Sequence, residues 1–152
     1  MKLRIEIEPG APEEVILRAP EVNATVRRVR HALEQSLEKP GEIAVRRGGE
    51  EIFLPCSEIC YFEVVDDRVY ADTADDAFVC PMRLSELGDL LPRAFTRASK
   101  SCVVNTAKIR SINRSPTGVS EASFNGTDKR IFISRMYYKI VREVIEETRL
   151  SQ

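Results

Sequence analysis

Residues 2–8, KLRIEIE, set Leu3, Ile5 and Ile7 against Lys2, Arg4, Glu6 and Glu8. That period of two predicts a half-buried strand, which Pro9-Gly10 ends. EEVILRAP reads as a second strand closed by Pro20. The period then changes: Val22, Val26, Val29, Leu33 and Leu37 recur at steps of three and four, the apolar stripe of a helix. Arg27, Arg28, Arg30 and His31 fall off or beside that stripe, as a solvated basic face or a second nucleic-acid surface. Lys39-Pro40-Gly41 breaks the helix and links it to the next module.

From Glu42 the pattern is β-rich. EIAVRRGGEEIFLP is two alternating runs about Gly48-Gly49, a hairpin signal because glycine accepts positive φ. EICYFEVVDDRVYADT predicts a second hairpin turning at Asp66-Asp67, and AFVCP a further strand. In RLSELGDLLP, Leu84, Leu87, Leu90 and Leu91 form one helical face, with Ser85 as cap and Pro92 as stop. TAKIRSINRS predicts a strand turning at Ser115-Pro116-Thr117-Gly118; VSEASF and KRIFIS form a hairpin about Asn125-Gly126. RMYYKIVREVIEETRL closes the chain as a helix with Tyr137, Ile140, Val141, Val144, Ile145 and Thr148 on one side. Short strands, tight turns and the lack of βαβ alternation predict an α+β fold, predominantly β and antiparallel. It divides into a β-β-α extension over 1–39 and a main domain over 42–149.

Composition narrows the class. At 152 residues, 43% apolar and 31% charged, the chain has room for one domain with a real core. Its apolar runs fall short of a membrane span and its N-terminus lacks a signal-peptide h-region, so the expected location is the cytoplasm. Cys56, Cys60, Cys80 and Cys102 sit in apolar contexts, as expected of buried, reduced thiols, and His31 is too distant to complete a zinc site with CSEIC. Net charge is −1, yet residues 50–89 are strongly acidic and 96–135 strongly basic. That segregation fits a surface that faces a polyanion, or two halves that neutralise each other in the fold.

Catalytic patterns are missing. One histidine on an amphipathic helix is a poor base, phosphate-binding glycine motifs do not occur, and Asp66-Asp67 and Asp75-Asp76 sit where turns favour Asp. The expectation is a non-enzyme without cofactor, metal or small-molecule substrate.

FTRASKSCVVN, residues 95–105, is the least ordinary stretch. Phe95 and Cys102-Val103-Val104 are apolar anchors, and the tract between them carries Arg97, Lys100 and three hydroxyl-bearing residues. Asn105 is expected to cap the following TAKI turn. Taken with EICYFEVVDDRVYADT, RLSELGDLLPRAFTRASKSCVVNTAKIRSI and RIFISRMYY in order, the chain from about Glu42 to Val144 resembles the LytTR family of bacterial DNA-binding domains. The block Phe95-x-Arg97-x-x-Lys100-Ser101-x-Val103-Val104-Asn105 with Ser134-Arg135-x-Tyr137 downstream is its most specific part.

The resemblance implies a transcriptional regulator that reads double-stranded promoter DNA with loops and strand ends, as a homodimer on paired sites. It implies base-edge contacts at Lys100, at Arg135 and in the Asp66-Asp67-Arg68 turn, whose carboxylates are unusual against phosphate. Arg97, Lys108 and Arg130 are then suited to phosphate, with Ser99, Ser101 and Ser134 as short donors, while Phe95, Asn105 and Tyr137 are structural neighbours. The first forty residues are too short for a receiver domain; as in stand-alone members, they would make the dimer or take a signal from a membrane-protein partner. Two other readings compete: a protein-interaction module whose basic surface docks an acidic partner, and a redox sensor at Cys102, because nearby cations lower thiol pKa.

Overall fold

A computed structural model describes residues 1–37 and 41–150. Its elements run α1 (Ala24–Leu37), β1 (Glu42–Arg47), β2 (Glu50–Pro55), β3 (Ile59–Val65), β4 (Arg68–Thr73), β5 (Ala77–Cys80) and α2 (Leu84–Leu90). β6 (Phe95–Ser99), β7 (Cys102–Asn105), β8 (Ile109–Arg114), β9 (Ser120–Phe124), β10 (Arg130–Ile133) and α3 (Arg135–Leu150) follow. The strands form a seven-stranded sheet of order β2-β1-β5-β4-β3-β7-β6 and a three-stranded sheet of order β10-β9-β8. All pairings are antiparallel. The α+β, mainly β architecture expected from the pattern is the one present.

The central strands explain why CVVN is apolar without alternation. Phe62 and Val103 face a core completed by Val45, Ala71 and Phe78, by Leu84 and Leu87 of α2 and by Leu91 just after it, while Leu90, expected on the same helical face, is exposed. Tyr61 and Val104 face the other way, into a core built with Phe124, Ile131, Ile133 and, from α3, Val141 and Ile145. The large sheet is thus covered on both faces at β3 and β7, so these strands need apolar residues at successive positions. Tyr61 meets Phe124 at 5.5 Å between ring centroids, tying the sheets together. Asn105 ends β7 as a buried clamp. Its Oδ1 accepts from the Ala107 N–H at 3.1 Å, the cap expected of it, and its Nδ2 donates to the Ile59 carbonyl at 2.9 Å.

Several expectations need correction. Residues 2–8 and 13–18 form no strand ladder; Leu3, Ile5 and Ile7 are 93%, 77% and 87% exposed. A two-stranded hairpin without a covered face is marginal, and a single chain offers this one no third strand. The turn at Pro9-Gly10 does form, with the Ala11 N–H donating to the Glu8 carbonyl at 3.1 Å. α1 starts at an Asn23 cap, whose Oδ1 accepts from the Val26 N–H at 3.0 Å, leaving Val22 outside. Arg83 rather than Ser85 is the residue before α2. Thr106–Lys108 is a 3-10 turn, so the strand predicted there begins only at Ile109. Asn125-Gly126 opens a longer loop that reaches β10 at Arg130, and Ile140 is exposed on α3. The break at Lys39-Pro40 lies outside the described residues.

Candidate nucleic-acid interface

Antiparallel pairing gathers the predicted residues from distant parts of the chain. β6 and β7 form a hairpin whose tip is Lys100-Ser101. Beside it, β3 pairs with β7 through Glu63 and Cys102, and the Val64 N–H donates to the Ser101 carbonyl at 2.9 Å. The β3–β4 tip, Asp66-Asp67-Arg68, therefore stands next to the Lys100 tip. Asp66 and Asp67 have φ of 50° and 63°, the left-handed pair of a tight hairpin turn, and both are exposed with Arg68.

A bulge in β6 brings in the third element. Arg97 pairs with Val103 and Ser99 with Cys102, so Ala98 is an extra residue without a partner across the ladder. The Ala98 carbonyl accepts instead from the Ser134 N–H at 2.8 Å, seating the start of α3 on the edge of the hairpin. The Ser134 Oγ is buried without a partner, so this serine does not present the surface donor its sequence position suggests.

Two arginines are fixed by backbone carbonyls. Arg97 Nη1 donates to the Lys100 carbonyl at 2.6 Å, bracing the tip from within its own hairpin. This is not the ion pair with the acidic half that its charge could have made. Arg135, first residue of α3, donates from Nη2 to the Thr117 carbonyl at 2.6 Å. Its guanidinium lies over Gly118, whose φ is +92° and where a Cβ would sit only 2.6 Å from Nη2. The turn at 115–118 was legible as a turn, but its service as a rest for Arg135 was not. Arg114, at the end of β8 beside that turn, lies with its Cζ 4.6 Å from the centroid of the half-buried Tyr138 ring. It belonged to the basic run without being singled out, because nothing local in the sequence links residues 114 and 138. Tyr137 is half-buried in the first turn of α3, and Phe95 supports the hairpin base against Phe62 at 5.9 Å between ring centroids.

The remaining predicted contacts lie elsewhere. Lys108 is half-buried in the turn that follows Asn105, the end of β7 opposite Cys102. Arg130 begins β10 and holds Glu121 through Nη1 at 2.8 Å. The acidic and basic halves do meet where Lys129 reaches Asp72 at 3.0 Å and the Asp76 carbonyl at 2.8 Å. Lys100 makes no such ion pair among the described residues, although the exposed Asp66 and Asp67 stand on the neighbouring tip.

The four cysteines are buried as thiols rather than joined in disulfides. Burial pushes the Cys102 thiol well above its ordinary 9.0, Glu63 and Asp72 push the same way, and Arg97 opposes them. A thiol so placed is a poor nucleophile, which removes the support for redox sensing. Among the described residues, no cluster of His, Cys, Asp and Glu could hold a metal ion, and no helix is long and apolar enough to cross a membrane.

Comparison with known proteins gives this surface a context. The sequence profile described as LytTr DNA-binding domain matches residues 49–146. Relatives in Staphylococcus aureus, each named an uncharacterized HTH-type transcriptional regulator, include those of strains NCTC 8325 / PS 47 and N315. Both are 29% identical over 144 residues, covering 94% of this chain and 97% of theirs. A solved LytTr DNA-binding domain of a putative methyl-accepting/DNA response regulator from Bacillus cereus superposes with a TM-score of 0.64. It is 22% identical and covers 70% of this chain and 97% of its own, a likeness of fold. With the profile spanning most of the chain, including the β3–β4 tip, the β6–β7 tip and the start of α3, the chain belongs to the LytTr DNA-binding domain family.

Proposed function

We propose that this protein is a sequence-specific transcriptional regulator that binds promoter DNA through the end of the sheet bearing Lys100, Arg135 and Arg68. The observation that carries it is their convergence: two hairpin tips and a helix start, set far apart in sequence at Arg68, Lys100 and Arg135, share one rim. Lys100 is exposed at a braced tip and Arg135 has a planar guanidinium suited to guanine in the major groove. The carbonyl rests of Arg97 and Arg135 limit side-chain freedom before DNA arrives, which reduces the ordering cost of binding. Arg97, Ser99, Ser101 and Arg114 are the phosphate-directed members of the set, and Ser134 a positioning residue. Lys108 and Arg130 stand outside it.

The reading does not use a helix-turn-helix, although the relatives carry that word in their names. Among the described residues β1–β5 separate α1 from α2, and β6–β10 separate α2 from α3. Recognition is therefore by strand ends and turns, with two copies on paired sites.

A docking module for an acidic protein partner would use the same cations. Fluorescence anisotropy with DNA from upstream of the protein's own operon, at two salt concentrations, separates the readings. The DNA reading expects promoter preference and a steep loss of affinity with salt. Failure to bind any duplex at low salt favours the acidic partner.

A further inference from the structure

The charges of α3 run against the helix that carries them. Arg135, Lys139 and Arg142 occupy its first half, and Glu143, Glu146 and Glu147 its second. A helix is partially positive at its N-terminus and negative at its C-terminus, so the reverse order would be the stabilising one. Arg149, in the last turn, does follow that rule, and it is committed to the fold: its Nη2 donates to the Thr106 and Ile109 carbonyls. An order that costs stability in the free chain fits a surface whose partner is an anion.

Steps of four and three place Arg135, Lys139 and Arg142 on one face of α3, and all three are exposed. β8 lies along that flank. Arg149 ties its beginning to the last turn of the helix, and Arg114 at its end rests on Tyr138, with Cζ 4.6 Å from the ring centroid. The two tethers match in length: Ile109 to Arg114 spans about 17 Å as strand, and Arg149 to Tyr138 about 17 Å as helix. Strand and helix therefore run side by side in opposite directions, which sets Arg114 beside the cations of α3. The four form a band that begins at the DNA-facing rim and leads away from it.

The fold leaves this band largely unneutralised. Lys139 makes no ion pair among the described residues. Arg142 meets Glu146 at 3.5 Å, but both side chains are about half exposed, and such a pair is weak. Asp72 and Asp76 of the acidic half hold Lys129 and Arg47 instead.

We infer that the β8–α3 band is a track for the DNA backbone, on which Lys139 and Arg142 hold phosphates that flank the base-read half-site on one side only. The inference rests on the proposed function and extends it; continuity with Arg135 identifies the occupant, because the strand read there must continue past the helix. At 1.5 Å per residue, Lys139 and Arg142 stand about 6 Å and about 10 Å beyond Arg135 along the axis. A duplex rises about 3.4 Å per base pair, so the track covers roughly two or three pairs outside the half-site.

The test is fluorescence anisotropy of the full chain on a promoter half-site duplex trimmed to the bases it protects. The same duplex is then lengthened by about five base pairs of unrelated sequence at one end or at the other. In wild type, lengthening at one end should steepen the salt slope by about two, so that a fourfold rise in salt removes roughly ten-fold more affinity; lengthening at the other end should not. Lys139→Gln/Arg142→Gln should bind the trimmed duplex within about two-fold of wild type and lose the gain from the longer one. Both side chains are exposed, so unchanged circular dichroism is expected. A wild type whose slope ignores the added pairs, or responds equally at both ends, overturns the inference. So does a variant that keeps the gain, or one that is weakened alike on both duplexes. Wild type that binds the trimmed duplex without a flank effect sinks this inference alone, whereas wild type that binds no duplex sinks the DNA reading with it.

Discussion

Gly118→Ala tests whether the rest beneath Arg135 is functional. At φ +92° an alanine is strained, which costs about 1–2 kcal/mol and lowers the melting temperature of a chain this size by about 2–8 °C. The new Cβ would also occupy the place of the Arg135 guanidinium, 2.6 Å from Nη2 and 2.8 Å from Cζ. A long side chain yields more easily than backbone, so Arg135 swings away and loses the Thr117 carbonyl. If Arg135 reads a base, the loss of promoter affinity approaches that of Arg135→Ala, about 1–3 kcal/mol or roughly 5–150-fold. Fluorescence anisotropy well below the melting transition measures it. Because both changes act through one side chain, Gly118→Ala/Arg135→Ala should bind about as Arg135→Ala does. Wild-type affinity in folded Gly118→Ala, or a double-variant loss equal to the sum of the single losses, refutes the reasoning.

Asn105→Ala unties the buried Ile59 carbonyl and the N–H of exposed Ala107, and should cost about 1–3 kcal/mol for the buried group left unpaired, read from urea unfolding; a change within about 0.5 kcal/mol would contradict the clamp. Arg97→Ala should weaken promoter and unrelated DNA by similar factors and reduce the salt slope by about one, whereas a loss confined to the promoter would make Arg97 a base reader. Burial, and after it the neighbouring Asp72, raises the Glu63 carboxyl above its ordinary 4.5. The folded state therefore holds this proton more tightly than the unfolded one, and stability is lost as pH rises through the raised value. Glu63→Gln should accordingly melt higher than wild type at neutral pH, with the gap closing below about pH 4; an equal gap at both pH values would locate the effect in packing rather than ionisation.

The sequence made the strands legible where both their faces or their turns are chemically marked. Gly48-Gly49 and Asp66-Asp67 are the hairpin tips expected, because positive φ is a local property. The amphipathic limbs at 2–8 and 13–18 misled for the opposite reason: their period is right, but a strand is defined by what pairs with it. The candidate site was legible as a set of residues rather than as a place. Lys100 and Arg135 sit in recognisable blocks, yet their proximity depends on the bond from the Ser134 N–H to the Ala98 carbonyl at the β6 bulge, and Arg135's support on Gly118. Neither contact has a local signature. Lys108 and Arg130 looked equivalent to Lys100 by charge, and strand direction is what sets Lys108 apart.

The comparison of Lys100→Ala with Lys108→Ala on the native promoter isolates that distinction most directly, because β7 holds the two lysines beyond its opposite ends. The account predicts a roughly 5–150-fold loss with relaxed sequence preference for Lys100→Ala, and affinity close to wild type for Lys108→Ala. Wild-type binding by Lys100→Ala together with a loss for Lys108→Ala would place the DNA at the other end of the sheet and contradict it.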